Sequence, residues 1–164
     1  NASSGALQTN VSGDAYVLQV SAMGLEVGLG QETLNNGQGL ANGTDEENTT
    51  GYVKYSNGPI SIGYQEAYAN NRHAQGTAGK DNEAEFWGIK YSADGIALSY
   101  AESEYMTKAQ GANAAGNTQE LEAIQASYTM GSMTIMASLS EGTNIAAVSA
   151  KNYEETSIAV NFAF

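Results

Sequence analysis

Apolar residues recur at every second position through most of this chain, and no long window holds the 3.6-residue period of a helix. A period of two puts successive side chains on opposite faces of a β-strand. The pattern predicts nine strands, about Ala15–Met23, Gly24–Glu32, Thr49–Ser56, Pro59–Ala69, Glu83–Ser92, Gly95–Met106, Glu120–Met130, Ser132–Ser140 and Glu155–Phe164. Their connections alternate between two kinds. Short turns fall at "MG", "SNGP", "SADG" and "MGS", where Asn-Gly and Asp-Gly can supply the positive φ of a tight hairpin. Long, polar, Gly- and Asn-rich connections fall at "TLNNGQGLANGTDEENT", "NNRHAQGTAGKD", "TKAQGANAAGNTQ" and "GTNIAAVSAKNYE". The expected architecture is all-β and antiparallel, with short turns at one end and long loops at the other, the arrangement of a transmembrane β-barrel.

Parity separates the faces. Ile124, Ala126, Tyr128 and Met130 oppose Ala123, Gln125, Ser127 and Thr129, and Ile158, Val160, Phe162 and Phe164 oppose Ser157, Ala159, Asn161 and Ala163. One face is apolar and the other is small or polar, whereas the polar face of a soluble sandwich usually carries more Lys and Glu than Ala, Gly and Ser. Ten Tyr against three Phe and one Trp leave little material for an ordinary soluble core. A membrane is compatible with this pattern even though no run reaches the roughly 18 apolar residues of a spanning helix, because a spanning strand needs only about 9 to 11 alternating residues. Cysteine is absent, which excludes disulfides and thiolate metal sites. Eighteen acids against six bases give a net charge of −12, which disfavours nucleic acid as a partner. The chain begins at Asn1 without a signal-like segment and is read as processed or incomplete.

One hairpin is written twice, as "YVKYSNGPISIGYQE" and "GIKYSADGIALSYAE". Its tyrosines Tyr55, Tyr64, Tyr91 and Tyr100 share the apolar face, where they form an expected aromatic girdle near two membrane interfaces; the alternative is that Tyr is simply a good strand former. The final strand, "SIAVNFAF", with its terminal Phe164, looks like the C-terminal signature by which bacterial outer-membrane barrels are handed to their assembly machinery. With "VKYSNGPISIGY" and "ASYTMGSMTIMASLS", the chain resembles the Gram-negative general porins, particularly the alphaproteobacterial type, from Ala15 to Phe164. The resemblance implies the C-terminal half of a 16-stranded barrel in the bacterial outer membrane, with residues 1–14 as the tail of an extracellular loop and 15–164 as a single barrel segment. Nine strands fit that half, because the first and last then run in the same direction and cannot close on each other. A homotrimer contacting lipid and lipopolysaccharide is also implied, with Phe164 as the assembly signal and the pore-constricting loop in the other half.

The expected function is a water-filled channel for passive diffusion of small hydrophilic solutes and ions. The competing expectation is a structural or adhesive barrel acting through its loops. Glu26, Glu32, Lys54, Lys90 and Gln125 are the candidate pore-lining residues, all on the polar face. Lys54 and Lys90 occupy the same place in the repeated hairpin and either put positive charge in the pore wall or are interface lysines without effect on flow. Asp45, Glu46 and Glu47 are expected as an acidic loop at the mouth, where weak Ca2+ or Mg2+ binding is conceivable on oxygen ligands although ordered ligand spacing is lacking. No dedicated cofactor or metal site is expected. Glu66 and Glu102 fall on the apolar face by parity, either at the outer edge of the apolar band or turned inward by a β-bulge. His73, the single histidine, has no nucleophile-elbow sequence to accompany it and is read as a loop residue, so no enzymatic activity is expected.

Overall fold

The computed structural model describes residues 12–35, 45–70, 80–109 and 118–163. Nine strands form one antiparallel sheet in sequence order: β1 (Gly13–Ala22), β2 (Leu25–Leu34), β3 (Glu46–Asn57), β4 (Ile60–Asn70), β5 (Lys80–Ala93), β6 (Ile96–Ala109), β7 (Gln119–Met130), β8 (Met133–Thr143) and β9 (Tyr153–Phe162). The sheet is open, with β1 and β9 as its edges. Each expected strand is present, but several run further from the turns than the alternation indicated. Glu46 and Glu47 open β3, Lys80 and Asp81 open β5, and Lys108 lies in β6. Polar residues at these ends hid the continuation, since ladder hydrogen bonds do not depend on an apolar side chain.

The four short turns are of two kinds. Met23 (φ 51°) with Gly24 (φ 81°), and Asp94 (φ 52°) with Gly95 (φ 78°), have positive φ at both central residues, the type I′ geometry that matches the twist of a hairpin. In the other two, Gly58 (φ 56°) precedes Pro59 and Gly131 (φ 60°) precedes Ser132, the order of a type II′ turn. Asn57 is therefore the last residue of β3 rather than a turn centre, and Pro59 sits in the turn rather than opening β4. Each turn is tied to the chain of the next strand: Ser56 N donates to Gly24 O (2.8 Å), Ser92 N to Pro59 O (2.8 Å), Thr129 N to Gly95 O (2.8 Å) and Ala163 N, just past β9, to Ser132 O (2.9 Å).

Register fixes the slope of the sheet. Leu25, the first residue of β2, lies in one cross-strand row with Tyr55, Ile62, Ile89, Tyr100, Ile124 and Leu139. Ile60, the first residue of β4, begins the next row toward the turns, with Tyr91, Leu98, Ala126, Ala137 and Ile158. Ile96 begins the row after that, and Met133 the one after. Every hairpin thus steps down by two residues, or one residue per strand. A stagger of one residue per strand corresponds to a strand tilt of about 36° in a closed barrel.

No large apolar side chain is buried among the described residues, and Val27, Leu29, Ile62, Ile89, Leu98, Ile124, Ile135 and Val160 are all exposed on one face. A single sheet with a bare apolar face is not stable in water, so that face requires cover.

The turns supply a stability test. A Cβ at Gly24 would lie 2.2 Å from Ser56 O and at Gly95 2.6 Å from Thr129 O, whereas at Gly58 and Gly131 it meets nothing within 4 Å. Gly24→Ala and Gly95→Ala are expected to cost about 2 kcal/mol or more, against about 1 kcal/mol for Gly58→Ala and Gly131→Ala, where only the left-handed backbone is strained. Urea midpoints of the four refolded variants check the order.

Candidate functional site

The two faces carry different chemistry, and the register assigns every side chain to one of them. The apolar face is a band of three to four rows. Toward the turns its edge is aromatic: Tyr55, Tyr91, Tyr128 and Phe162 stand near the turn ends of β3, β5, β7 and β9, each one row below the last. Toward the long connections it ends in carboxylates. One row joins Glu66, Glu85, Glu104 and Glu120, and the adjacent row joins Glu102, Glu122, Glu141 and Glu154. The carboxylate edge drops one row between β4 and β6 and then stays in one row to β9, so the band grows from three rows on β4 and β6 to four on β8.

Aromatic side chains hold the upper edge. Trp87 Nε1–H donates to Glu102 Oε2 (3.0 Å), Tyr100 O–H donates to the same oxygen (3.3 Å), and Tyr64 O–H reaches Glu66 Oε2 (3.5 Å). The Trp87 and Tyr100 rings are 5.2 Å apart and tilted by 58°. The register through Glu66 and Glu102 is unbroken, so no bulge turns either carboxylate to the other face. Carboxylates placed directly across from one another repel, and on the same face Lys108 Nζ lies 2.7 Å from Glu83 Oε2. Sequence reading found Tyr55, Tyr64, Tyr91 and Tyr100 through the repeated hairpin. It missed Trp87, Tyr128 and Phe162 as members of the same edges, because their alignment depends on the stagger.

Glu26, Glu32, Lys54, Lys90 and Gln125 lie on the opposite face, built mostly of Gly, Ala, Ser and Thr. Glu26 is directly across from Lys54 and accepts a 2.8 Å hydrogen bond from Tyr52 O–H. The Tyr52 ring packs against Gly28, whose missing side chain makes the approach possible: a Cβ there would sit 2.1 Å from the ring. Lys90 and Gln125 belong to one row that runs Ser56, Ser61, Lys90, Ser99, Gln125, Ser138, Ser157 across seven strands. Hydroxyls in it pair where they meet, Ser56 with Ser61 at 2.9 Å and Ser138 with Ser157 at 2.8 Å. Glu32 is at the other end of the face, where its Oε2 accepts from Asn48 Nδ2 (3.4 Å).

The expected acidic mouth loop is corrected. Asp45 precedes β3, while Glu46 and Glu47 are its first two residues and point to opposite faces, Glu46 across from Leu34 and Glu47 across from Thr33 and Asn70. They do not converge on one cation, and among the described residues no three His, Asp or Glu side chains group as a metal site. His73, Arg72 and Phe164 lie outside the described residues.

The connection from β8 to β9 was read only as polar loop, yet it folds over the polar face. Its short 3-10 turn, Ile145–Ala147, is held by Asn144 Nδ2 donating to Thr118 O (2.8 Å) and Ala146 N donating to Gln119 Oε1 (2.8 Å). A Cβ added to Gly142 would meet the side chains of both Ile145 (2.7 Å) and Leu121 (2.6 Å), which places Ile145 against that face. The apolar run "IAAV" inside a polar connection was the available signal.

Removing the Tyr52 hydroxyl by Tyr52→Phe is expected to lower stability by about 1 kcal/mol. Gly28→Ala, which must displace the ring, is expected to cost more, and denaturant titration of the two refolded variants checks the ranking. A comparison with family models, with curated proteins and with solved structures finds no match for this chain.

Proposed function

We propose that this chain is part of a water-filled β-barrel channel of a bacterial outer membrane, passing small hydrophilic solutes and ions by diffusion without catalysis. The observation that carries the reading is the stagger of the apolar band. Its aromatic edge shifts by one residue per strand, so that in a barrel with strands tilted by about 36° it becomes a level ring, and its carboxylate edge drops in the same direction by one row between Glu66 on β4 and Glu102 on β6. From Met133 to Glu141 on β8 the band spans eight steps, about 27 Å along the strand and about 22 Å along the axis once tilted, close to the roughly 25 Å apolar band of such barrels. Tyr55, Tyr91, Tyr128 and Phe162 then form the girdle at the short-turn interface, and Trp87, Tyr100 and Tyr64, with their carboxylates, form the girdle on the long-loop side.

The other face becomes the wall of the lumen. Its rows of Ser, Thr, Gly and Ala leave room for water, and Glu26, Glu32, Lys54, Lys90 and Gln125 place charge and amide on it. Ile145 and its connection narrow the long-loop end. Sequential antiparallel strands close into a barrel only in even number, so an odd number of further strands joins β9 to β1, and seven would make the sixteen of a general porin. The resemblance to alphaproteobacterial-type porins supports that count, along with a homotrimer in contact with lipid and lipopolysaccharide and delivery by the barrel assembly machinery.

In planar bilayers the protein is expected to conduct in ohmic steps. Replacing both Lys54 and Lys90 by Glu should shift the reversal potential toward cations, replacing both by Gln should do so less, and both shifts should shrink as salt is raised, because screening confines wall charges to about 8 to 10 Å at ordinary ionic strength. A folded protein that never conducts would instead favour a structural or adhesive barrel. For assembly, Phe164→Asn is expected to reduce the amount inserted into outer membranes, read by fractionation, since an apolar aromatic end serves as interface anchor.

A further inference from the structure

On the polar face, Gly63 and Gly88 are directly across from one another on β4 and β5 and, lacking side chains, leave a hollow of about 390 Å³. Tyr52 and Phe86 bound it toward the long connections, and Lys54 and Lys90 bound it toward the turns. Its exposed lining is mostly apolar, and Ser61, Gln65 and Ser99 join the two lysines as its polar members. Phe86 is half exposed, with Gln65 across from it on β4 and Ser103 on β6, so a large aromatic surface faces the space. Lys90 has Ser61 and Ser99 as its cross-strand neighbours and makes no ion pair among the described residues. Lys54 differs in having Glu26 across from it.

We propose that this hollow is a binding site for small organic anions with an apolar body, of the aromatic or branched monocarboxylate class. The body covers the glycine floor and the Phe86 ring, and the carboxylate takes a charge-assisted hydrogen bond from the Lys90 ammonium, with Lys54 a weaker second contact because Glu26 already balances it. The volume is that of a small-molecule pocket, apolar with few polar groups at fixed places. A neutral sugar would leave both the ammonium uncompensated and the apolar floor uncovered, and an inorganic cation would be repelled. Lys90 and Ser99 also line a neighbouring hollow of about 330 Å³ with Gln125, Ser138 and Ser157, which offers a released carboxylate a chain of hydroxyl and amide donors along the wall. The proposal deepens the channel reading, because it makes this site a stage of solute passage, but binding itself requires only the folded wall.

The test uses benzoate and its neutral counterpart benzyl alcohol, titrated by calorimetry into the detergent-folded protein, with conductance measured separately. Benzoate is expected to bind about tenfold more tightly than benzyl alcohol, the scale of one charge-assisted hydrogen bond. Lys90→Gln should remove that difference, while Lys54→Gln removes less of it. Gly63→Val should abolish binding of both ligands by filling the floor, in a protein that still folds, since a Cβ at Gly63 meets Val53 O at 3.7 Å and Lys54 Cβ at 4.0 Å, ordinary contacts; circular dichroism confirms the strands. Equal affinity for the two ligands, or wild-type benzoate binding by Lys90→Gln and Gly63→Val, overturns the site. Conductance without benzoate discrimination removes the site and keeps the channel, whereas discrimination without conductance removes the channel and keeps the site.

Discussion

An apolar sheet face that the chain itself does not cover dominates this structure. Among the described residues no large hydrophobic side chain is buried, although Leu, Ile, Val, Tyr, Phe and Trp alternate along nearly every strand. In a soluble sandwich these side chains would interdigitate with a second layer. Here all nine strands form one layer, and backbone hydrogen bonding within it is the only extensive internal interaction. Hydrocarbon around the apolar face would supply the missing burial, and it would also forbid unpaired strand edges at that depth. The open edges at β1 and β9 and the bare face therefore pose one problem, which closure in a membrane would solve.

Stagger turns a repetitive sequence into a shape. Each hairpin begins two residues lower than the one before it, and the aromatic edge follows that slope. The same rule explains why residues far apart in sequence act together. Tyr55, Tyr91, Tyr128 and Phe162 share an edge because each stands near the turn end of an odd strand. Glu66 and Glu102, which look misplaced on an apolar face when each strand is read alone, belong to rows that bound the band. Their hydrogen bonds from Tyr64, Tyr100 and Trp87 join an apolar ring to a wet carboxylate at one level, which is where amphipathic side chains are most stable.

The polar face is organised by absence as much as by presence. Glycine at position 28 leaves room for the Tyr52 ring to pack there and reach Glu26, while glycines 63 and 88 leave a floor uncovered between Phe86 and Lys90. Charge on this wall is sparse and local: Glu26 faces Lys54, and Lys90 stands among serines. If the face lines a channel, a solute moving along it would meet distinct surfaces rather than a uniform polar lining, with the folded connection bearing Ile145 adding an apolar contact at one end.

Strand number, order, turn positions and the division of side chains between faces were legible in the sequence, because a period of two and Gly-containing turns are local consequences of backbone geometry. Lys54 and Lys90 were legible as equivalent because the hairpin is repeated. Strand ends at Glu46, Lys80 and Lys108 were not, since ladder hydrogen bonds continue regardless of side-chain polarity. Nor was the split of Glu46 from Glu47, which follows only once both are known to be in a strand. Register was beyond the sequence altogether. Alternation fixes which face a residue occupies but not how far along its neighbour it pairs, and only pairing decided that Gly63 meets Gly88, that Glu66 meets Glu85, and that the rows of the sheet climb by one residue per strand.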